Sequence, residues 1–127
     1  MTMEKLDLEF GLKTSTKVLY SMLSTPSGLT RWFADDVNIN RDGTYSFIWD
    51  DSEEIATLVS KKRDEFIKFK WIEDEEKHTY FEFRIHVDEM TNDVALLITD
   101  FCDEGEEQES ADLWGKQVET LRQSIGG

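Results

Sequence analysis

Apolar residues first recur along the chain with a period of two. In "KLDLEFGL", Leu6, Leu8, Phe10 and Leu12 alternate with Lys5, Asp7, Glu9 and Gly11, the spacing of a strand with one buried face. The period then lengthens. Thr14, Ser15 and Thr16 supply hydroxyls for free helix N–H groups, and Val18, Leu19, Met22 and Leu23 follow at helical spacing, which predicts one short helix. Thr25 is placed to cap a second, with Pro26, the chain's single proline, at its first position, where a missing N–H costs nothing and the fixed φ is already helical.

From Asp35 the period of two returns. "DDVNI" leads to a hairpin at Asp42-Gly43, after which Tyr45, Phe47 and Trp49 share one face. A turn at "DDSEE" precedes a strand over residues 55–60, and a turn at "KKRDE" precedes one in which Ile67, Phe69 and Trp71 alternate with Lys68 and Lys70. Beyond an acidic turn at 73–77, the run 79–87 sets Phe81, Phe83, Ile85 and Val87 against Tyr80, Glu82, Arg84 and His86. Asn92-Asp93 closes the next hairpin into "VALLITDF", whose near-continuous hydrophobicity suits a central strand or one covered at both faces. The tail turns helical again: Ala111, Trp114, Val118, Leu121 and Ile125 form one stripe, Glu106, Glu107 and Glu109 crowd the first turns, and Gly126-Gly127 ends it.

The predicted order is therefore strand, two short helices, six strands and a longer amphipathic helix. This is an α+β arrangement in which the last helix covers the apolar face of a curved antiparallel sheet. At 127 residues, with no linker or repeat, the chain is expected to form one domain over residues 1–127. A formal charge of −14 repels a phosphate backbone, so no nucleic-acid partner is expected. No segment approaches the roughly 18 apolar residues of a membrane span, and the N-terminus lacks a signal-peptide run. The lone Cys102 cannot form an internal disulfide. A soluble protein of the cytoplasm is the expectation.

The segments "LTRWF", "DGTYSFIW" and "FIKFKW", in that order after a two-helix section, resemble the START-like group of the SRPBCC superfamily. The nearest likeness is to small bacterial proteins similar to heat-shock-chaperone ATPase activator homologues. Leu29, Trp32, Phe33, Gly43, Phe47, Phe69 and Trp71 sit where that pattern would place them. The resemblance implies the helix-grip, pollen-allergen-like fold, with ligands held between a sheet of about seven strands and the last helix. The side chains it points to are Tyr45, Phe47, Trp49, Ile67, Phe69, Trp71, Phe81, Phe83 and Ile85 from the sheet, facing Trp114, Val118 and Leu121, with Trp32 near the mouth.

These aromatics fit two uses, since ligand pockets and packed cores are both mostly apolar. The first is non-catalytic binding of a small apolar or amphipathic molecule. The second is a packed core in a protein-interaction or chaperone-cofactor-like module, homodimers included. A cyclase- or hydrolase-like enzyme is a third reading suggested by the superfamily, but no catalytic constellation supports it. His78 and His86 fall by parity on the polar face of one strand, Arg84 falls on that face too, and Asp103 and Glu104 beside Cys102 would keep its thiol protonated. No phosphate-binding or nucleophile motif occurs, and neither a cofactor nor a metal is expected.

Overall fold

The computed structural model describes residues 3–126. Its elements are β1 (Met3–Leu12), α1 (Thr16–Ser24), α2 (Pro26–Leu29), β2 (Asp36–Ile39), β3 (Tyr45–Trp49), β4 (Ser52–Lys62), β5 (Phe66–Trp71), β6 (Phe81–Val87), β7 (Val94–Asp103) and α3 (Glu107–Ser124), with a 3-10 turn at Ile72–Asp74. Seven antiparallel strands form one curved, open sheet in the order β1-β7-β6-β5-β4-β3-β2. The α+β class and the order read from periodicity are those observed.

Local chemistry sets the helix starts. The Ser15 hydroxyl accepts from the Val18 N–H at 3.1 Å and the Thr25 hydroxyl from the Gly28 N–H at 3.0 Å, with Pro26 in the first turn of α2. Gly28 is required for packing: a Cβ there would lie 2.2 Å from the Ser21 carbonyl oxygen and 2.6 Å from the Met22 Cα. The two short helices are thus pressed together at a glycine.

Three turns differ from their sequence reading. The Asp42-Gly43 hairpin is a three-residue loop in which only Gly43 takes positive φ (+89°), and Asp42 accepts from the Thr44 N–H and hydroxyl. At "DDSEE" only Asp50 and Asp51 turn, because Trp49 already pairs with Ser52, so residues 52–54 belong to β4. At "KKRDE" the strand runs through Lys62 and Asp64 takes φ +62°. The sixth strand starts at Phe81 rather than 79, which leaves His78 in the preceding loop and only His86 on a strand, both exposed.

Register then builds the core. Tyr45 lies opposite Ala56, Ala56 opposite Trp71, Phe69 opposite Phe81, Phe83 opposite Ile98, and Ile98 opposite Leu8, so the odd-numbered aromatics of β3, β5 and β6 occupy one continuous face. Helix α3 lays Trp114, Val118 and Leu121 on that face, all buried. The outer face carries Lys68 over the Tyr80 ring and Arg84 beside Glu82 and over Phe66, as the parity of Arg84 predicts. Beyond α3, Gly126 takes φ +73°; Gly127 lies outside the described residues. Among the described residues no helix is long and apolar enough to cross a membrane.

Candidate functional site

The turn after α2 sets the geometry. The Phe33 N–H donates to the Leu29 carbonyl at 2.9 Å and the Asp35 N–H to that of Ile48, also at 2.9 Å, which pins the "TRWF" segment between helix and sheet. Phe33 is thereby driven inward. Its ring stacks on Trp114 (5.7 Å, 11° between planes) and meets Phe47, Trp49 and Phe83 edge-on at 5.1, 5.4 and 5.7 Å. Its carbonyl accepts from Trp49 Nε1 at 2.8 Å and Gln117 Nε2 at 3.1 Å. One residue thus joins β3, α3 and the helical entry.

Beside this hub lies a cleft of about 460 Å³ between the sheet and the N-terminal half of α3. Phe33, Trp49, Trp71, Phe81 and Trp114 form its apolar walls. Ser52 and Glu54 enter from β4, Asp100 from β7, and Ser110, Leu113 and Gln117 from α3. Leu113 stands at the rim, 61% exposed.

Of the side chains named from sequence, Trp49, Trp71, Phe81 and Trp114 come together on the cleft wall. Tyr45, Phe47, Ile67, Phe69, Phe83, Val118 and Leu121 share the same layer but are packed in the core away from the cleft, and Ile85 packs against that core half-buried. Trp32 is not at the mouth of this cleft. It is buried against Phe33 and Phe83, and its indole N–H donates to the Met22 carbonyl at 2.8 Å, the acceptor that a buried indole requires.

Sequence reasoning left Phe33, Glu54 and Asp100 out of the site, along with Ser52 and the α3 residues Ser110, Leu113 and Gln117. Phe33 stood within the family-like motif. Asp100 shares the parity of Leu96 and Ile98, and Glu54 lies opposite Phe47 on the inner face, so strict alternation carried through the two-residue turn would have found both.

Both carboxyls are electrostatically uncomfortable. Burial raises the Asp100 pKa above the usual carboxylate range, and Asp74 adds to the rise, against hydrogen bonds from the Phe101 amide and from Trp114 Nε1 at 3.0 Å. Burial also raises that of Glu54, with Glu73 and Asp74 adding repulsion. Neither makes an ion pair among the described residues, and no lysine, arginine or histidine lines the cleft. The nearby Cys102 thiol is buried and its pKa is raised, chiefly by burial and then by Glu107, Asp100 and Glu106, so it is held as an unreactive thiol. Among the described residues no group of His, Cys, Asp and Glu is arranged to hold a metal.

A curved antiparallel sheet closed over a C-terminal helix, with an aromatic cleft opening between them, defines a helix-grip protein. The model of the START-like superfamily domain matches residues 1–127, and the chain belongs to that family. Among solved structures, BfR322 of Bacteroides fragilis shares 40% identity at a TM-score of 0.69, covering 98% of this chain and 92% of its own. The Aha1 protein of Colwellia psychrerythraea, described as a dimer, shares 14% identity at 0.77 and covers 96% of each chain. DynU16, from the dynemicin biosynthetic locus, shares 10% identity at 0.78 over 96% of this chain but 47% of its own. The last two bear on fold alone. A search of curated proteins finds no significant match.

Proposed function

We propose that the protein binds a small apolar or amphipathic molecule in the cleft between its sheet and α3, without transforming it. The observation that carries this reading is the cleft itself. About 460 Å³ of space, within the range of small-molecule sites, remains beside an aromatic layer that is otherwise closely packed. It leaves parts of the Trp49 and Trp71 rings uncovered by other side chains. The whole chain acts as one START-like binding unit, and its single cysteine suits a reducing cytoplasm.

Two measurements test the reading. Native mass spectrometry of gently purified protein should show an added mass that is lost on denaturation. The neutral fluorophore N-phenyl-1-naphthylamine should brighten on titration with the protein, and should fail to do so with a folded Ser110→Trp variant, which fills the cleft from α3. Absence of saturable brightening with the parent protein refutes an apolar site.

Self-association is a second reading. Among the described residues, β1 and β2 stand at the sheet edges with one side of each unpaired by other strands, and an edge offers free backbone donors and acceptors to another chain. A monomer mass by light scattering at about 100 μM would exclude it as a stable state.

A further inference from the structure

We propose that the cleft selects an organic cation: a compact ammonium group carried on an apolar body. This rests on the reading of the cleft as a small-molecule site and adds the charge of what it takes.

Three observations converge. The first is the walls. Trp49 and Trp71 stand 6.3 Å apart, tilted by 59°, and both retain exposed surface on the cleft while Trp114 closes it from the helix. Indole has the strongest attraction for a cation among the aromatic side chains, and several rings around one space form the kind of cage that holds ammonium groups.

The second is uncompensated negative charge. Asp100 and Glu54 reach the cleft from the inner face of β7 and β4, an otherwise apolar surface. Both side chains are half-buried, and a carboxylate partly withdrawn from water gains from a paired charge. Asp74, the next acid, has Lys77 at 3.4 Å, whereas Asp100 receives only the uncharged Trp114 indole as side-chain donor and Glu54 makes no ion pair among the described residues. A carboxylate offers about four acceptor positions. Two carboxyls thus reach the cleft with no basic side chain lining it, and a bound cation would offset the burial and repulsion that raise both groups' pKa.

The third is the surrounding field. A chain with 28 acidic and 14 basic residues draws cations toward it and repels anions such as fatty acids. A fatty acid or phospholipid phosphate would also bring its own charge beside Asp100 and Glu54.

Phenyltrimethylammonium and tert-butylbenzene have nearly the same shape and differ by one charge. Each is titrated into the 15N-labelled protein and followed by the indole N–H resonances. The expected result is that phenyltrimethylammonium binds at least 10-fold more tightly. It should move the Trp49, Trp71 and Trp114 signals and leave that of Trp32, which faces Met22 outside the cleft. Folded Asp100→Asn and Glu54→Gln variants should each lose at least 5-fold more affinity for the cation than for tert-butylbenzene. If the neutral compound binds as tightly as the cation, or if both variants keep full cation affinity, the charge preference is overturned and the apolar site stands. If neither compound moves the three cleft indoles at millimolar concentration, both readings fall.

Discussion

Replacing Phe33 tests whether the aromatic hub is as central as its geometry indicates. Its side chain is 5% exposed and its ring touches those of Trp32, Phe47, Trp49, Phe81, Phe83 and Trp114. Truncating a buried Phe to Ala costs about 3–5 kcal/mol through lost transfer energy and the cavity left behind. The upper half of that range is expected, because three walls of the hole belong to different elements whose positions Phe33 fixes. Phe33→Leu keeps most of the buried area but loses the stacked and edge-on pairs, at roughly 0.5–1.5 kcal/mol each and less than additive, so about 1–2 kcal/mol is expected. Urea unfolding followed by tryptophan fluorescence and far-UV circular dichroism measures both. At about 4 °C per kcal/mol for a domain of this size, the alanine variant should melt about 16–20 °C below the parent. A loss under about 1.5 kcal/mol for Phe33→Ala, with unchanged denaturant slope, would refute the hub and imply that the cleft walls are held elsewhere.

Asp100→Asn should stabilise the protein at neutral pH. The folded-state pKa is raised by burial, so the folded chain holds that proton more tightly than the unfolded one. The destabilising contribution is then fully present above the raised value and vanishes as pH falls toward the unfolded carboxylate value near 4. The melting-temperature gain of the variant should shrink over that window, and a pH-independent gain would contradict the assignment. Gly28→Ala should cost about 3 kcal/mol or more, the top of the overpacking range, since the new methyl would meet backbone at 2.2 Å. By contrast Gly43→Ala, at φ +89° with nothing within 4 Å, should cost only the strain of about 1–2 kcal/mol; chemical denaturation of the pair separates crowding from strain. Cys102 should resist a thiol reagent in the native protein and react in full once unfolded, because it is buried; rapid native labelling would mean that the end of β7 opens.

Alternation made the strand faces legible from sequence because a pleated strand has no other way to present Tyr45, Phe47 and Trp49 together. Helix starts were legible because Ser15 and Thr25 do locally what capping chemistry requires. Turn lengths were less so: acidic runs such as "DDSEE" read as loops, yet Glu53 pairs with Ile48 and Glu54 with Phe47. Misplacing that boundary hid an inward carboxyl. The site was half legible for a different reason. Periodicity says which residues point inward, but only the three-dimensional tilt of α3 decides which of them meet space and which meet another side chain, and this separates Trp71 from Phe69 two residues away. Trp32 shows the same limit, since its orientation follows from a hydrogen bond to Met22, ten residues earlier.

The pairing of β1 with β7 runs from Met3 opposite Asp103 to Leu12 opposite Val94, so, among the described residues, the first strand finds its one strand neighbour about ninety residues later. On the ribosome, Leu6, Leu8, Phe10 and Leu12 must wait uncovered until most of the chain has emerged. At 5–20 residues per second that delay is about 5–20 s. The charges at Lys5, Asp7 and Glu9 interrupt what would otherwise be a sticky nascent segment. Joining so distant a pair carries a large loop-closure entropy, which places refolding in the millisecond-to-second range rather than among the fast helical folders. The first strand of the sheet is thus among the last to be secured, and the sheet becomes complete only when β1 and β7 meet.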